Sequence, residues 1–291
     1  MIEKLNCSIG ITAYNEEKHI KKLLDSILKQ KLMEVNIKEI IVVASGCTDN
    51  TEEIVKSFCA KYHFIKLITE PQRKGKYSAI NIILKEAKSP IIVICSADII
   101  LERNAIENLV KVFKNPKVGM SGPRIVPLNS WDSPLGFTVN FLWDLHHRIS
   151  IQDPKLGELI AFRKDLVKKL PPTSVDEATL EILIREQGYQ LKYVPSAHVF
   201  NEGPRSFKDF LIQRRRIACG HLHLKRKYGY AVSTFKITNV LNAVFCSIPK
   251  YKNRLLYIII AIILEILAKF LGFWDYYFNR NKHIIWKRIS Y

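Results

Sequence analysis

The chain has 291 residues, of which 48% are hydrophobic and 25% are charged. This length and composition allow a substantial buried core, in one large domain or two modest ones, and exclude an intrinsically disordered chain. The formal net charge of +18 predicts an anionic partner, which would be nucleic acid, acidic lipid or a substrate that carries phosphate.

The first hundred residues alternate predicted strands and helices. Strands are predicted at residues 7–13, 40–44 and 64–69, each followed by a helical segment, and the third helix opens at Gly75. Residues 90–101 form a nearly continuous apolar run, which predicts one strand buried on both faces. This alternation is typical of right-handed βαβ units, so we expect an α/β fold with a mostly parallel sheet flanked by helices.

The second half of the chain continues the pattern and then changes composition. Helices are predicted over residues 105–113, 135–151, 174–188 and 207–228, and strands over 118–126 and 189–194, while residues 157–162 form a short apolar stretch. Two apolar segments follow, at 232–248 and 255–274, with basic residues around them. We therefore predict a domain over 1–228, with halves at 1–104 and 105–228, and a helical membrane-associating region over 229–291.

Asp98 lies at or just past the carboxyl end of the 90–101 run, where open α/β sheets build their ligand sites. An isolated Asp at this point could also cap the helix that begins after Glu102. The segments before and after Asp98 favour a ligand site, because they carry further motifs whose order along the chain resembles that of a known family.

Six short motifs follow one another along the chain. They are Thr12-Ala13-Tyr14-Asn15-Glu16-Glu17, Ser45-Gly46-Cys47-Thr48-Asp49-Asn50-Thr51, Gly75-Lys76 with Ala79 and Asn81, Ser96-Ala97-Asp98, Asp176-Glu177, and Gln213 to Ile217. In this order they resemble P-A-Y-N-E-E, D-G-S-T-D-N-T, G-K-x-x-A-x-N, D-x-D, E-D and Q-x-x-R-W of the family 2 glycosyltransferases of the GT-A fold. Each motif alone is weak evidence, but six in the right order make a strong signal, which covers about residues 7–220.

Three departures from the family's pattern carry information. Ala44-Ser45 stands where the family often has an aspartate for the nucleotide. Ser96 removes the first carboxylate of D-x-D, so metal affinity should rest on Asp98 and the diphosphate. Ile217 replaces the Trp that lies beside the acceptor in polysaccharide synthases, which argues against a processive polymerase.

The resemblance implies an inverting, metal-dependent transferase of the hexosyltransferase type, which uses a nucleoside-diphosphate sugar, expected to be a UDP-sugar. Asp98 would hold Mg²⁺ or Mn²⁺, which binds through one or two carboxylates and substrate phosphates. Asp49 would brace its loop. Arg216 would contact the phosphates, with Arg214 or Arg215 as alternatives. Lys76 would contact the donor or acceptor, and a solvated lysine is the alternative. The expected donor-binding residues are Thr12, Tyr14, Asn15, Glu16, Ser45, Asp49, Lys76, Ser96, Ala97, Gln213 and Arg216.

The resemblance also implies a general base at Asp176-Glu177. The two carboxylates are adjacent, so on a helix they point about 100° apart and only one can face the site. Counting back from Gly188 places Glu177 in the family's catalytic register. Asp176 stays open as the alternative, and so does a purely structural role for both at a helix N-terminus.

Two other functions fit part of the sequence. A sugar-phosphate nucleotidyltransferase would share the sheet but should carry a Gly-rich phosphate loop with Arg near the N-terminus, and residues 7–17 have none. A non-enzymatic nucleic-acid-binding protein would explain the basic charge, yet no recognised binding motif is present. We therefore expect a glycosyltransferase without a nucleic-acid partner.

The apolar segment 255–274 is long enough to cross a bilayer, but Glu265 and Lys269 lie inside it. A charge at mid-bilayer costs roughly 2.5–3.5 kcal/mol even on permissive scales. These two residues share a helix face with small side chains, opposite an Ile/Leu surface. Basic residues flank both ends, at Lys250, Lys252, Arg254, Arg280, Lys282, Lys287 and Arg288.

A single span would place one of these basic clusters on the wrong side of the membrane. We expect instead that the helix packs its polar stripe on the domain or on 232–248 and lays its apolar face into the cytoplasmic leaflet. The N-terminus lacks the pattern of a signal peptide, which also predicts the cytoplasmic face. A lipid or lipid-linked glycan acceptor would follow, and a buried helix of a soluble protein is the alternative.

Overall fold

The computed structural model describes residues 4–279 and 283–285. Eight strands form one mixed sheet; they are β1 (Leu5–Ala13), β2 (Val35–Ser45), β3 (Ile65–Glu70), β4 (Ile91–Ser96), β5 (Ile99–Leu101), β6 (Val118–Pro127), β7 (Leu159–Arg163) and β8 (Gln190–Asn201). Their order across the sheet is β3-β2-β1-β4-β7-β6-β8-β5. The expected α/β fold with a largely parallel sheet between helices is confirmed.

Helices connect and cover the strands. They are α1 (Ile20–Leu28), α2 (Thr51–Lys61), α3 (Lys76–Glu86), α4 (Ala105–Lys111), α5 (Pro134–Gln152), α6 (Asp176–Arg185), α7 (Phe207–Tyr228), α8 (Ile237–Ser247) and α9 (Leu255–Trp274). The predicted bounds of α7 and α9 match the structure at both ends. The predicted domain boundary near residue 228 stays a prediction.

The predicted single strand over residues 90–101 is wrong. The chain turns at residues 97–98, so the run divides into β4 and β5, which pair with different neighbours. β4 pairs in parallel with β1 and antiparallel with β7, whereas β5 pairs antiparallel with β8. The split places Asp98 on the turn between two strands, at the carboxyl edge of the parallel part of the sheet.

The strand β4 is buried on both faces, as its composition predicts. Ile91, Val93 and Cys95 belong to the apolar core on one side of the sheet, and Ile92 and Ile94 to the core on the other side. Burial of each such side chain contributes roughly 1.5–3 kcal/mol. The end of β4, and with it the Asp98 turn, is therefore held by packing from both layers.

The helix α9 packs against α5 and α7 through its small residues. Ala261, Ala268 and Gly272 are buried in this contact, and a Cβ atom on Gly272 would lie 2.6 Å from the Cβ of Ala218. The polar and small stripe expected for this helix thus lies against the rest of the protein. Within the described residues, one helix, Lys252–Phe278, is long and apolar enough to cross a membrane, with a mean hydropathy of 2.4.

The other face of α9 is open to solvent. Ile263, Ile266 and Phe270 are 57%, 62% and 59% exposed. The basic residues that the sequence places after this helix, Arg280, Lys282, Lys287 and Arg288, lie outside the described residues.

Candidate active site

A cavity of about 710 Å³ opens where the parallel strands β1, β2 and β4 end. Its walls come from these strand ends, from the first turns of α3 and α6, and from α5 and α7. Two predicted donor-binding residues, Asn15 and Asp49, are not part of its lining. The other predicted site residues all line the cavity: Thr12, Tyr14, Glu16, Ser45, Lys76, Ser96, Ala97, Asp98, Asp176, Glu177, Gln213 and Arg216.

Asn15 and Asp49 hold together the two loops that carry the first two motifs. The Asn15 side-chain oxygen accepts a hydrogen bond from the Thr48 backbone N–H at 2.7 Å. The Asp49 carboxylate accepts one from the Glu17 backbone N–H at 3.2 Å. Asn15 also adopts a left-handed backbone conformation, with φ of 55°, which Asn tolerates better than most residues. These contacts fit a bracing role and fix the position of Tyr14.

Arg73 is a cavity residue that the sequence analysis did not select. Its guanidinium lies 3.8 Å from the centre of the Tyr14 ring, which is a cation–π contact. The pair forms a flat, positively charged surface at the end of β1. Its position two residues before the Gly75-Lys76 motif was the available signal in the sequence.

Lys76 and Glu177 form an ion pair inside the cavity. The Lys76 ammonium donates hydrogen bonds to Glu177 Oε1 at 2.6 Å and to Ser96 Oγ at 3.1 Å. Burial alone would raise the pKa of Glu177, but the charge and hydrogen bond of Lys76 outweigh it and lower this pKa to about 2. Glu177 is therefore a carboxylate at neutral pH, and Lys76 is not the solvated lysine that the sequence left open.

Asp176 differs from its neighbour in exposure. It is only 2% exposed, whereas the Glu177 side chain is 23% exposed toward the cavity. Within the described residues, Asp176 Oδ1 has no hydrogen-bond partner. Burial, followed by the charge of Glu177, raises the pKa of Asp176 to about 7. Of the two carboxylates, Glu177 is the one that a bound molecule can reach directly.

Glu158 is a second residue that the sequence analysis missed. β7 runs antiparallel to β4 with Leu159 opposite Cys95, and the Ser96 backbone N–H donates to the Glu158 carbonyl at 3.1 Å. This pairing brings Glu158 into the cavity beside Asp98. Burial, followed by the charge of Asp98, raises the pKa of Glu158 to about 7. A contact between positions 98 and 158 depends on long-range pairing, which local patterns do not reveal.

The Asp98 turn fits the divalent cation that the resemblance implies. A carboxylate is the hard oxygen ligand that Mg²⁺ and Mn²⁺ prefer, and Asp98 forms no ion pair or side-chain hydrogen bond with any residue that the structure describes. No group of three or more His, Cys, Asp or Glu side chains able to hold a metal occurs in this described part. Further ligands would therefore include donor phosphates, as is usual for Mg²⁺.

The three consecutive arginines of α7 have different partners. Arg214 forms two hydrogen bonds to the Glu265 carboxylate, at 2.9 and 2.6 Å, and Arg215 pairs with Asp275. Both of these contacts join α7 to the C-terminal helical segment. Arg216 also lines the cavity, and its positive charge acts on Asp176 and Glu158, which lie in the same lining.

Beyond the carboxylates the cavity wall becomes apolar. One face of α5 supplies Val139, Leu142, Trp143, His146 and Ile149, and Val240 of α8 adds to the same wall. Burial lowers the pKa of His146 to about 3, so this imidazole is neutral. The cavity thus has a charged end at the sheet and a mainly apolar wall at the helices α5 and α8. Glu265 and Lys269 of α9 also line it, and they form ion pairs with Arg214 and with each other.

The sequence matches glycosyl transferase family 2 over residues 8–152 and glycosyl transferase family group 2 over residues 91–278. A probable glycosyltransferase, YdaM, of Bacillus subtilis (strain 168) is 28% identical over 248 residues, which are 78% of this chain and 58% of that protein. The poly-beta-1,6-N-acetyl-D-glucosamine synthase of Staphylococcus epidermidis is 27% identical over 248 residues, 79% of this chain and 58% of that protein. The chain thus spans little more than half the length of these relatives.

The fold is also found among solved structures. The mannosyltransferase PcManGT from Pyrobaculum calidifontis, in complex with GDP-Man and Mn²⁺, superposes with a TM-score of 0.68. The superposition covers 94% of this chain and 88% of that one, at 22% sequence identity. At this identity, the likeness shows a common fold.

Proposed function

The chain belongs to glycosyl transferase family 2, and from this premise we propose that it is a glycosyltransferase that takes its sugar from a nucleotide sugar and transfers it to a lipid or lipid-linked glycan. The family match confirms the resemblance carried by the six motifs. The observation that supports the acceptor class is the cavity, whose charged end holds the donor motifs and whose mainly apolar wall reaches α8.

We propose that the donor lies along the carboxyl ends of β1, β2 and β4. Its base and ribose would contact Tyr14 and Glu16, with Arg73 behind the Tyr14 ring. The diphosphate would lie near Asp98 and Arg216, which can donate a forked pair of hydrogen bonds to phosphate oxygens. A UDP-sugar is the proposed donor, and a GDP-sugar is the alternative to be tested, since PcManGT was solved with GDP-Man.

The proposed transfer inverts the configuration of the sugar. Glu177 accepts the proton of the acceptor hydroxyl while the hydroxyl oxygen bonds to the sugar carbon and the bond from that carbon to the diphosphate breaks. Lys76 keeps Glu177 ionised before the acceptor binds. Asp98 would hold Mg²⁺ or Mn²⁺, which when bound would offset the charge that develops on the leaving diphosphate.

We propose that the acceptor is reached from the cytoplasmic face of a membrane. α8 exposes Ile237, Leu241 and Phe245 to solvent, at 72%, 63% and 75%, and α9 exposes a second apolar face. Helices with one apolar face and a charged opposite face lie in the plane of a bilayer. The α8 wall of the cavity then lies close to the lipid, so that an acceptor head group enters the site without leaving the membrane surface.

A screen of nucleotide sugars tests this function. The purified chain should hydrolyse one UDP-sugar or GDP-sugar in the presence of Mn²⁺ or Mg²⁺, and EDTA should abolish this hydrolysis. Adding polyprenyl phosphate or glycolipid acceptors in detergent should convert hydrolysis into transfer.

Asp98→Asn should lose both activities while its circular dichroism stays unchanged, because the substitution removes a charge and little volume. Near-normal turnover in this variant would contradict the metal assignment, and transfer to soluble glycans alone would contradict the acceptor class.

A further inference from the structure

We propose that Glu158 is a second carboxylate ligand of the divalent cation, in place of the carboxylate that Ser96 lacks in the Ser96-Ala97-Asp98 motif. The proposal rests on the proposed function, in which Asp98 and the donor diphosphate bind this cation. The chain would then supply two carboxylates from two separate segments, at Asp98 and Glu158, whereas the D-x-D motif supplies both from one segment.

The first support is the position of Glu158 in the sheet. The antiparallel pairing of β7 with β4 continues one residue beyond Cys95 and Leu159, through the hydrogen bond from the Ser96 N–H to the Glu158 carbonyl at 3.1 Å. Glu158 thus lies opposite Ser96 in register, and Asp98 follows Ser96 by two residues, on the turn after β4. Both carboxylate-bearing residues line the same cavity.

The second support is electrostatic. The negative charge of Asp98 acts on Glu158, and both side chains line the same cavity. The chain as a whole has an excess of 18 positive charges. Nevertheless, in the part of the chain that the structure describes, neither carboxylate forms an ion pair or a side-chain hydrogen bond. A divalent cation between them would neutralise both charges, and Mg²⁺ and Mn²⁺ accept oxygen ligands of this kind.

The third support comes from the hydrogen bonding of Ser96 and the backbone conformation of Glu158. The Ser96 hydroxyl accepts a hydrogen bond from Lys76 at 3.1 Å and carries no charge, so it is a poor substitute for a carboxylate. Glu158 adopts a left-handed backbone conformation with φ of 60°. A residue with a Cβ atom adopts this conformation at a cost in free energy, and such strain concentrates at functional sites.

Binding of Mn²⁺ tests the proposal without recourse to activity. Free Mn²⁺ is measured by electron paramagnetic resonance during titration of the full chain, first with Mn²⁺ alone and then with saturating UDP or GDP. Glu158→Gln should weaken binding by about tenfold or more, since even loss of an outer-shell partner of a metal ligand has an effect of this size. Asp98→Asn should weaken it at least as much.

The matched control is Glu202→Gln. Glu202 also lines the cavity, but it forms an ion pair with Arg205, so its loss should leave Mn²⁺ affinity unchanged. In the Glu158→Gln background, Ser96→Asp should restore tighter binding, because it returns a carboxylate to the motif. Circular dichroism and thermal unfolding of each variant establish that it is folded.

Mn²⁺ affinity of a folded Glu158→Gln variant equal to that of the wild type would overturn the proposal. The proposal would also be overturned if the wild type bound no Mn²⁺ alone, with UDP or with GDP. A double variant that binds no more tightly than Glu158→Gln would show that Glu158 does not replace the missing carboxylate. If the wild type binds Mn²⁺ through Glu158 but hydrolyses no nucleotide sugar, the proposed function fails while the metal site stands.

Discussion

The charge of the proposed base depends on one neighbouring residue. Lys76 lies at the start of α3 and Glu177 at the start of α6, and their contact at 2.6 Å is the side-chain ion pair between these two helices. Because a buried charge without a partner is costly, each side chain keeps the other ionised. The pKa of Glu177, about 2, means that this carboxylate stays ionised throughout the physiological range.

Substitution of each carboxylate at the start of α6 distinguishes their roles. Glu177→Gln should reduce transfer by about 100-fold or more, because it removes the proton acceptor, and should leave donor binding intact. Asp176→Asn should be less damaging, because Asp176 is enclosed and only 2% exposed. The measurements are single-turnover transfer and nucleotide-sugar binding by calorimetry.

The opposite ranking would assign the base to Asp176, whose pKa of about 7 also suits proton transfer at neutral pH. Two mild phenotypes would leave the pair with a structural role only. Glu186→Gln, near the end of the same helical segment, provides a control for loss of a glutamate outside the cavity.

At the scale of elements, the contact between α7 and α9 is close and small residues make it possible. Gly272→Leu should destabilise the fold by about 1–3 kcal/mol, because the new side chain would overlap Ala218 and the Arg215 carbonyl. Phe270→Leu introduces the same residue at an exposed position of the same helix and should have a much smaller effect. Urea unfolding followed by circular dichroism compares the two, and equal midpoints would contradict this packing.

Elements with a strong local signal could be predicted from the sequence. The helices α7 and α9 have continuous periodic patterns and clear ends, and the six motifs located the carboxyl edge of the sheet. Residues 90–101 could not be divided correctly, because both pieces are apolar and only their different pairing partners separate β4 from β5.

Long-range pairing, which local sequence patterns do not reveal, also limits prediction of the site. Residues inside a motif, such as Lys76 and Glu177, line the cavity, although the sequence did not predict their ion pair, which joins positions 101 residues apart. Glu158 and Trp143 lie in no recognised motif and enter the cavity through tertiary packing. The antiparallel pairing of β7 is what brings Glu158 to Asp98.

For the whole molecule, the exposed apolar faces of α8 and α9 predict attachment to one side of a membrane. Lys252→Cys and Lys282→Cys, made singly in a background without native cysteines, should both resist an impermeant thiol reagent added outside intact cells. Both should react after permeabilisation, which serves as the control. An in-plane helix keeps both ends on the cytoplasmic side, where basic residues are attracted to anionic lipid. Labelling from outside at only one end would mean that the helix crosses the membrane.

Asp98, on the turn after β4, and Glu158, just before β7, are far apart in the sequence, and this separation has a consequence for synthesis of the protein. Sixty residues separate positions 98 and 158, and at 5–20 residues per second they take about 3–12 s to translate. Strands β1 to β4 leave the ribosome in that order, so the parallel part of the sheet can begin to assemble early. Glu158 and then Glu177 arrive only afterwards. The cavity is therefore completed only after α6 has been synthesised, because Lys76 waits for its ion-pair partner Glu177.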